Sequence, residues 1–269
     1  MSHAEQPSRA VTATAAGAPA LLKVVDLVCG FGGVRAVNEA SLEVQAGHVV
    51  GLMGPNGAGK STLLGTVAGA IAPSSGSVIF DGEDVTGLRP DQMARRGLVR
   101  TFQLSSEFAG LTVMENLLVG DFHMRGERLR EVALGRGSWG SDEAAGVARG
   151  RELLQRFGME EKENELAGLL SGGQKRILEL LRALMSNPKL LLLDEPMAGV
   201  HPTVVDRIVT WLMSLREQNI TVVMTEHELG VIERLCDPVF VMATGRVIAE
   251  GTIAEVRRLP EVLDAYLVK

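Results

Sequence analysis

The nine residues Gly54-Pro55-Asn56-Gly57-Ala58-Gly59-Lys60-Ser61-Thr62 constrain the fold of this chain more than any other stretch. They satisfy G-x-x-x-x-G-K-[ST], and their flanks change periodicity across the turn: His48 to Met53 reads as a short buried strand, and Ser61 to about Ala70 as a helix. A glycine-rich strand-to-helix turn of this kind is a phosphate cradle. The glycines let the backbone turn tightly and approach an anion with no Cβ in the way. Successive N–H groups then form a concave nest at the positive end of the new helix. Lys60 is expected to reach the β- and γ-phosphates, and the Ser61 hydroxyl to ligate magnesium.

The 269 residues are 46% hydrophobic, enough for one large α/β domain or a domain with a subdomain. A net charge of −6 offers no basic field to nucleic acid, so no nucleic-acid partner is expected. Cys29 and Cys236 show no metal-ligand spacing and are read as buried free thiols. No apolar run approaches the about 18 residues needed to cross a bilayer, so any membrane part is expected on separate polypeptides.

Residues 1–20, rich in Ala, Thr, Ser and Gly, are too polar for a signal peptide and are expected to form a disordered tail. Leu22–Val28 and Ala40–Val44 read as strands of an antiparallel layer, joined by a strand at Ser77–Gly82. Arg89–Gly97 carries helix start and stop signals, and a strand at Leu98–Phe102 follows. Residues 104–170 are helix-periodic, with an irregular, mobile glycine-rich insert expected at Gly135–Gly150. Arg125, Arg128, Arg130 and Arg136 there read as a solvated helix face, with a partner-facing surface as the alternative. The α/β alternation then resumes: a helix from Ser171 to before Pro188, a fully buried strand Leu190–Leu193, a helix from Pro202 to about Glu217 and a buried strand Ile220–Met224. A hairpin over Val239–Glu250 turns at Thr244-Gly245, and Ala254–Tyr266 reads as a short terminal helix.

Asp194-Glu195 closes the strand of leucines at the edge where open α/β sheets place ligands. Downstream of a phosphate loop, Asp194 is expected to hold magnesium through water and Glu195 to take a proton from attacking water. Leu170-Ser171-Gly172-Gly173-Gln174 opens a helix and so supplies a second anion-binding end. One nucleotide needs a single cradle, and two cradles imply two chains head to tail, each closing the other's site.

On these strings the chain resembles the ATP-binding cassette (ABC) ATPases, from Leu22 to about Thr252. The resemblance implies a P-loop NTPase core with a mostly parallel sheet, an antiparallel β layer and an α-helical subdomain inserted at about 104–180. Residues 21–252 would then form the cassette and 253–269 a helical extension. It further implies ATP and Mg2+, with Gly54, Pro55, Asn56, Gly57, Ala58, Gly59, Lys60, Ser61 and Thr62 around the phosphates. Ser171, Gly172, Gly173 and Gln174 would act from the opposing chain. Gln103 matches the glutamine that touches magnesium and couples the helical subdomain to the partner, making Ser61, Gln103 and Asp194 the implied metal set. His227 matches the histidine at the γ-phosphate, beside Glu195 as the implied base. Phe31 lies at the family's distance for the ring that stacks on adenine; burial in the antiparallel layer is its competing role. His201 stands where the family commonly has an Asp facing the other subunit, so communication between sites is expected to differ.

A single cassette without zinc spacing or heptads disfavours the repair, chromosome and translation branches. Glu163–Leu169 differs from the loop typical of exporters, which favours import. Phe31–Val37, Val99–Gln103, Leu111–Leu118 and Ala198–Val200 are similar to the ATP-binding subunit of branched-chain amino acid importers, a subgroup that also serves urea and amides. Implied partners are a second ATPase subunit, two transmembrane permease subunits and, indirectly, an extracytoplasmic solute-binding protein, with the chain peripheral on the cytoplasmic membrane face. Phe102–Phe108 is the expected permease contact. The alternatives are a lipid or polysaccharide exporter and an ATP-dependent scaffold.

Overall fold

The computed structural model describes residues 19–101, 107–121 and 139–267. Gln103, Phe102 and the four arginines at 125–136 lie outside them, as does nearly all of the expected N-terminal tail.

The chain opens with β1 (Leu22–Phe31) and β2 (Val34–Val44), which pair antiparallel about the Gly32-Gly33 turn. Next come β3 (Val49–Met53), α1 (Lys60–Val67), β4 (Ser75–Phe80) and β5 (Glu83–Asp84). Helix α2 (Pro90–Arg95) and β6 (Leu98–Arg100) precede a helical stretch made of α3 (Val113–Val119) and α4 (Trp139–Arg156). Then follow α5 (Gly172–Met185), β7 (Leu190–Asp194), α6 (Pro202–Glu217), β8 (Thr221–Thr225), α7 (Leu229–Leu235), β9 (Val239–Ala243) and β10 (Arg246–Gly251). Helices α8 (Ile253–Val256) and α9 (Pro260–Leu267) end the described chain.

Among the described residues these strands make two sheets. One is antiparallel, in the order β2-β1-β4-β5; the other runs β10-β9-β3-β8-β7-β6, parallel except for the β9–β10 hairpin. The run of leucines in β7 shows how the layers meet. Leu190 and Leu192 point into a core shared with α1 and the antiparallel sheet, while Leu191 and Leu193 point into a second core under α5, α6 and α7. All four are fully buried, as a strand covered on both faces requires. Leu63, Leu64 and Val67 of α1 fill the first core, so the helix that opens at Lys60 is clamped between the two sheets.

The β9–β10 turn locks the layers together at the functional edge. Thr244 and Gly245 both have positive φ, 45° and 80°, the two-residue turn that matches strand twist. Gly245 N–H donates to Ala58 in the phosphate loop at 3.0 Å, and its carbonyl accepts from Asn38 N–H of β2 at 2.9 Å.

Two sequence expectations change, and one helix had not been foreseen. The glycine-rich stretch expected to be irregular from Gly135 is helical from Trp139 onward, as α4. Its glycines serve close packing: a Cβ at Gly146 would lie 3.1 Å from Leu118 Cδ2, and one at Gly150 2.8 Å from Met114 Sδ, both on α3. The terminal helix is split into α8 and α9, because Pro260 disfavours helical backbone at the residue before it. Helix α7 had no sequence counterpart; it is only seven residues long and carries Gly230. The two cysteines are buried and free as expected, and burial pushes the Cys236 thiol up to about 12.

Candidate nucleotide site

β3 delivers the chain into the loop at the C-terminal edge of the parallel sheet. Gly54 has φ 144°, and a Cβ there would meet Met242 O at 2.2 Å. Gly59, at φ 100°, lies so close to β2 that a Cβ would sit 2.2 Å from Ala36 O. Both positions therefore require glycine. Lys60 turns back over this arch, its Nζ donating to Gly54 O at 2.7 Å and Pro55 O at 3.1 Å. Burial pulls the Lys60 ammonium below its ordinary value, opposed by the carboxylates of Glu195 and Asp194.

Asp194 ends β7 directly opposite Thr225 at the end of β8. The Ser61 hydroxyl donates to Asp194 Oδ1 at 3.1 Å and the Thr225 hydroxyl to the same oxygen at 2.7 Å. Arg100, on β6, donates from Nη2 to Asp194 Oδ2 at 3.0 Å. Ser61 Oγ and Asp194 Oδ1 are the hard oxygen pair that Mg2+ accepts when phosphates and waters complete its shell, so these residues fit that ion. No group of three or more His, Cys, Asp or Glu among the described residues could hold a metal ion unaided.

Glu195 has φ 48°, which is unfavourable for a residue with a Cβ by about 1–2 kcal/mol. Its surroundings hold it there: its N–H donates to Thr225 Oγ1 at 3.0 Å and to Thr225 O at 3.2 Å, and its carbonyl accepts from Arg176 Nη2 at 2.9 Å. The bend presents the side chain to His227, whose Nε2 lies 2.9 Å from Glu195 Oε1. Glu226 ties the two loops together: Oε1 accepts from Met197 N–H at 2.8 Å and Oε2 from His227 N–H at 3.2 Å. Burial pushes the Glu226 carboxyl above its ordinary value, and those two hydrogen bonds oppose the shift.

The structure thus brings Lys60, Ser61, Asp194, Glu195 and His227 together. Arg100, Arg176, Thr225 and Glu226 complete the arrangement, and sequence reasoning had given them no role. The available signals were weak: Thr225 and Asp194 are the polar ends of adjacent buried strands, and Arg176 is a cation on the buried face of α5.

Phe31 is 56% exposed, which removes burial as its role. It pairs with Val34, two residues or about 7 Å along β2 from Ala36. Ser171 caps α5 and accepts from Gln174 N–H at 3.4 Å, while Gln174 Oε1 accepts from Ser171 N–H at 2.9 Å. Ser171 and Gly172 are exposed. His201 caps α6, its Nδ1 3.0 Å from Thr203 Oγ1. Of the expected permease contact, the described part includes Phe108, half exposed under the Arg182 guanidinium. A cleft of about 850 Å³ lies beside the β1–β2 turn, lined by Asp26, Gly30, Arg35 and Ser74 among others; none of its lining residues belongs to the phosphate loop.

A phosphate loop, a paired Asp-Glu at the neighbouring strand edge and two layered sheets define a nucleotide-handling cassette. The family model for ABC transporters matches residues 37–198, and the chain belongs to that family. It is 35% identical to a probable branched-chain amino acid transport ATP-binding protein, LivG, of Archaeoglobus fulgidus, over 92% of this chain and 95% of that one. It is 36% identical to the high-affinity branched-chain amino acid transport ATP-binding protein BraF of Pseudomonas aeruginosa, over 92% and 97%. The crystal structure of a nucleotide-free ATP-binding cassette from an ABC transporter superposes with a TM-score of 0.80 at 33% identity, covering 93% of this chain and all of that one. The ADP conformation of an ATP-binding cassette gives the same score at 34% identity, over 94% and 100%.

Proposed function

We propose that this chain is the ATP-binding and ATP-hydrolysing subunit of an importer for branched-chain amino acids or related small polar solutes. The observation that carries the reading is the junction of two motifs: Asp194 is bonded to Ser61 of the phosphate loop, and its neighbour Glu195 meets His227. The named relatives, at 35–36% identity over nearly their whole length, support the solute class.

In this reading ATP rests its phosphates on the N–H groups of the loop from Gly57 to Ser61, and Lys60 exchanges the carbonyls of Gly54 and Pro55 for phosphate oxygens. Phe31 stacks on the adenine. Ser61, and Asp194 through water, would hold Mg2+, with Gln103 as a further contact; when bound, the ion would neutralise charge on the phosphates. Ser171, Gly172, Gly173 and Gln174 of a second cassette close over the γ-phosphate. Glu195 accepts a proton from water as the water oxygen bonds to the γ-phosphorus and the bond from the bridging oxygen to that phosphorus breaks, releasing ADP and phosphate. His227, held by Glu195, steadies the γ-phosphate. Catalysis of this kind is mostly positioning and charge stabilisation.

Residues 21–252 form the cassette, the helices within about 104–180 its inserted arm, and 253–269 its extension. No helix among the described residues is long and apolar enough to cross a membrane. The chain pairs with itself or a paralogue on the cytoplasmic face of two permease subunits, fed by a solute-binding protein, and Phe102–Phe108 meets the permease.

Glu195→Gln tests the reading. Turnover should fall by about 10²- to 10⁴-fold, with ATP-driven pairing retained on size-exclusion chromatography. Near-parental turnover would sink the assignment of Glu195. Uptake of labelled leucine, isoleucine and valine by cells lacking this chain, with and without its restoration, tests the solute class.

A further inference from the structure

We propose that Arg100 is a resident counter-cation for the carboxylate at the magnesium position: it stands in for the metal on Asp194 and lets nucleotide bind where metal is absent. The proposal rests on the nucleotide-site reading above.

Arg100 is the last residue of β6, in register with Leu192, two positions before Asp194 on β7. Its guanidinium bridges two parts of the site, Nη2 donating to Asp194 Oδ2 at 3.0 Å and to Ser61 O at 3.3 Å. Asp194 divides its oxygens by chemistry. Oδ1 faces two hydroxyls, Ser61 and Thr225, which can rotate away; Oδ2 faces a fixed positive charge.

The fold makes room for that charge. Gly65 lies one turn along α1 from Ser61, and a Cβ there would come within 2.8 Å of Arg100 Nη1 and 2.8 Å of Ile71 Cδ1. Glycine is unfavourable inside a helix, yet here the missing Cβ is part of the space the guanidinium fills. Arg100 Nε is buried with no hydrogen-bond partner among the described residues. The bonds the guanidinium does make both go to the site, to Asp194 Oδ2 and Ser61 O.

The local charges show when Arg100 matters most. Lys60 stands near both Glu195 and Asp194, whose carboxylates act on it through space. Lys60 and Arg100 together balance these two acids. Phosphates add negative charge beside Asp194, whose buried carboxylate is 1% exposed and screened little by solvent. With magnesium present, the metal offsets that repulsion and Arg100 is nearly redundant. Without it, Arg100 is the cation paired with Asp194.

The readout is the dissociation constant of ADP by calorimetry, in excess EDTA and in excess Mg2+, for the full chain. ADP is used so that neither hydrolysis nor closure over a γ-phosphate enters. For Arg100→Gln the EDTA-to-magnesium ratio of constants should rise about tenfold, the scale of one partly buried charge interaction. Arg100→Lys, which keeps the charge, should return the ratio most of the way to the parental value. A merely structural ion pair would weaken both constants together and leave the ratio unchanged; that result overturns the proposal. So does an Arg100→Lys ratio as high as that of Arg100→Gln. Should Arg100→Gln fail to fold by circular dichroism, Gly65→Ala decides, since its Cβ displaces the guanidinium without removing a contact to nucleotide: a raised ratio supports the proposal and an unchanged one overturns it. A parental chain that binds ADP in neither condition overturns the nucleotide-site reading, and this proposal with it.

Discussion

At the scale of single residues, Glu226 holds the loops that carry Glu195 and His227 in register. Its carboxyl reaches Met197 on one loop and the His227 backbone on the other, so the distance between Glu195 and His227 depends on a group that touches neither side chain. Burial raises its pKa above the ordinary 4.5. The sign of the effect on stability follows from linkage. Below the unfolded value the carboxyl is protonated in both states and contributes no pH dependence. As pH rises from about 4.5 towards the raised folded value, the unfolded state ionises first and stability falls. Glu226→Gln loses one backbone hydrogen bond at all pH values but has no proton to release. The melting-temperature gap between parent and Glu226→Gln should therefore narrow as pH rises through that window. A gap that widens with pH would show that the carboxyl is not buried as described. The left-handed backbone of Glu195 is the complementary case: Thr225 and Arg176 offset its strain from either side, and the resulting bend aims the carboxylate at His227.

At the scale of elements, the helices between β6 and β7 are held by backbone contact. Gly120 ends α3, and a Cβ on it would come 2.3 Å from the Arg182 carbonyl of α5. The obstacle is backbone, which cannot swing aside as a side chain does. Gly120→Ala should cost about 1–3 kcal/mol, lowering the melting temperature by about 2–4 °C per kcal/mol for a chain of this size. ADP affinity at Lys60 should stay at the parental level, because α3 supplies none of the loop's contacts. An unchanged melting curve would mean that α3 and α5 are further apart than this. Asn116 supports the same junction from α3, accepting from Phe108 N–H at 2.9 Å and donating to three carbonyls, among them Phe108 O at 3.1 Å. It thereby fixes the root of the segment that carries the half-exposed Phe108.

At the scale of the whole molecule, the last described helix returns to the first motif. Burial pushes the Tyr266 phenol of α9 above its ordinary value, opposed by the backbone at Gly54. α9 thus packs near the residue where β3 becomes the phosphate loop, more than two hundred residues earlier in the chain. The β9–β10 turn makes a second closure of this kind, holding Ala58 on one side and Asn38 on the other.

Much of this was legible in the linear chain. The phosphate loop, the strand ending in Asp194-Glu195, the Ser171 cap and the Thr244-Gly245 turn each rest on residues a few positions apart, and short-range sterics and hydrogen bonding fix such motifs. The unbroken apolar run Leu190–Leu193 likewise marked a fully buried strand. What the tertiary structure alone decided is which distant groups meet. Thr225 and Arg100 reach Asp194 from separate strands, and Arg176 reaches Glu195 from a helix 19 positions earlier in the chain. The glycines of α4 suggested a loop because a local pattern carries no record of the neighbour that needs their missing Cβ; that neighbour, Met114, lies on another helix. Local chemistry determines the pieces of this site, and their convergence depends on the packing of two sheets around α1, a relation between residues far apart in sequence.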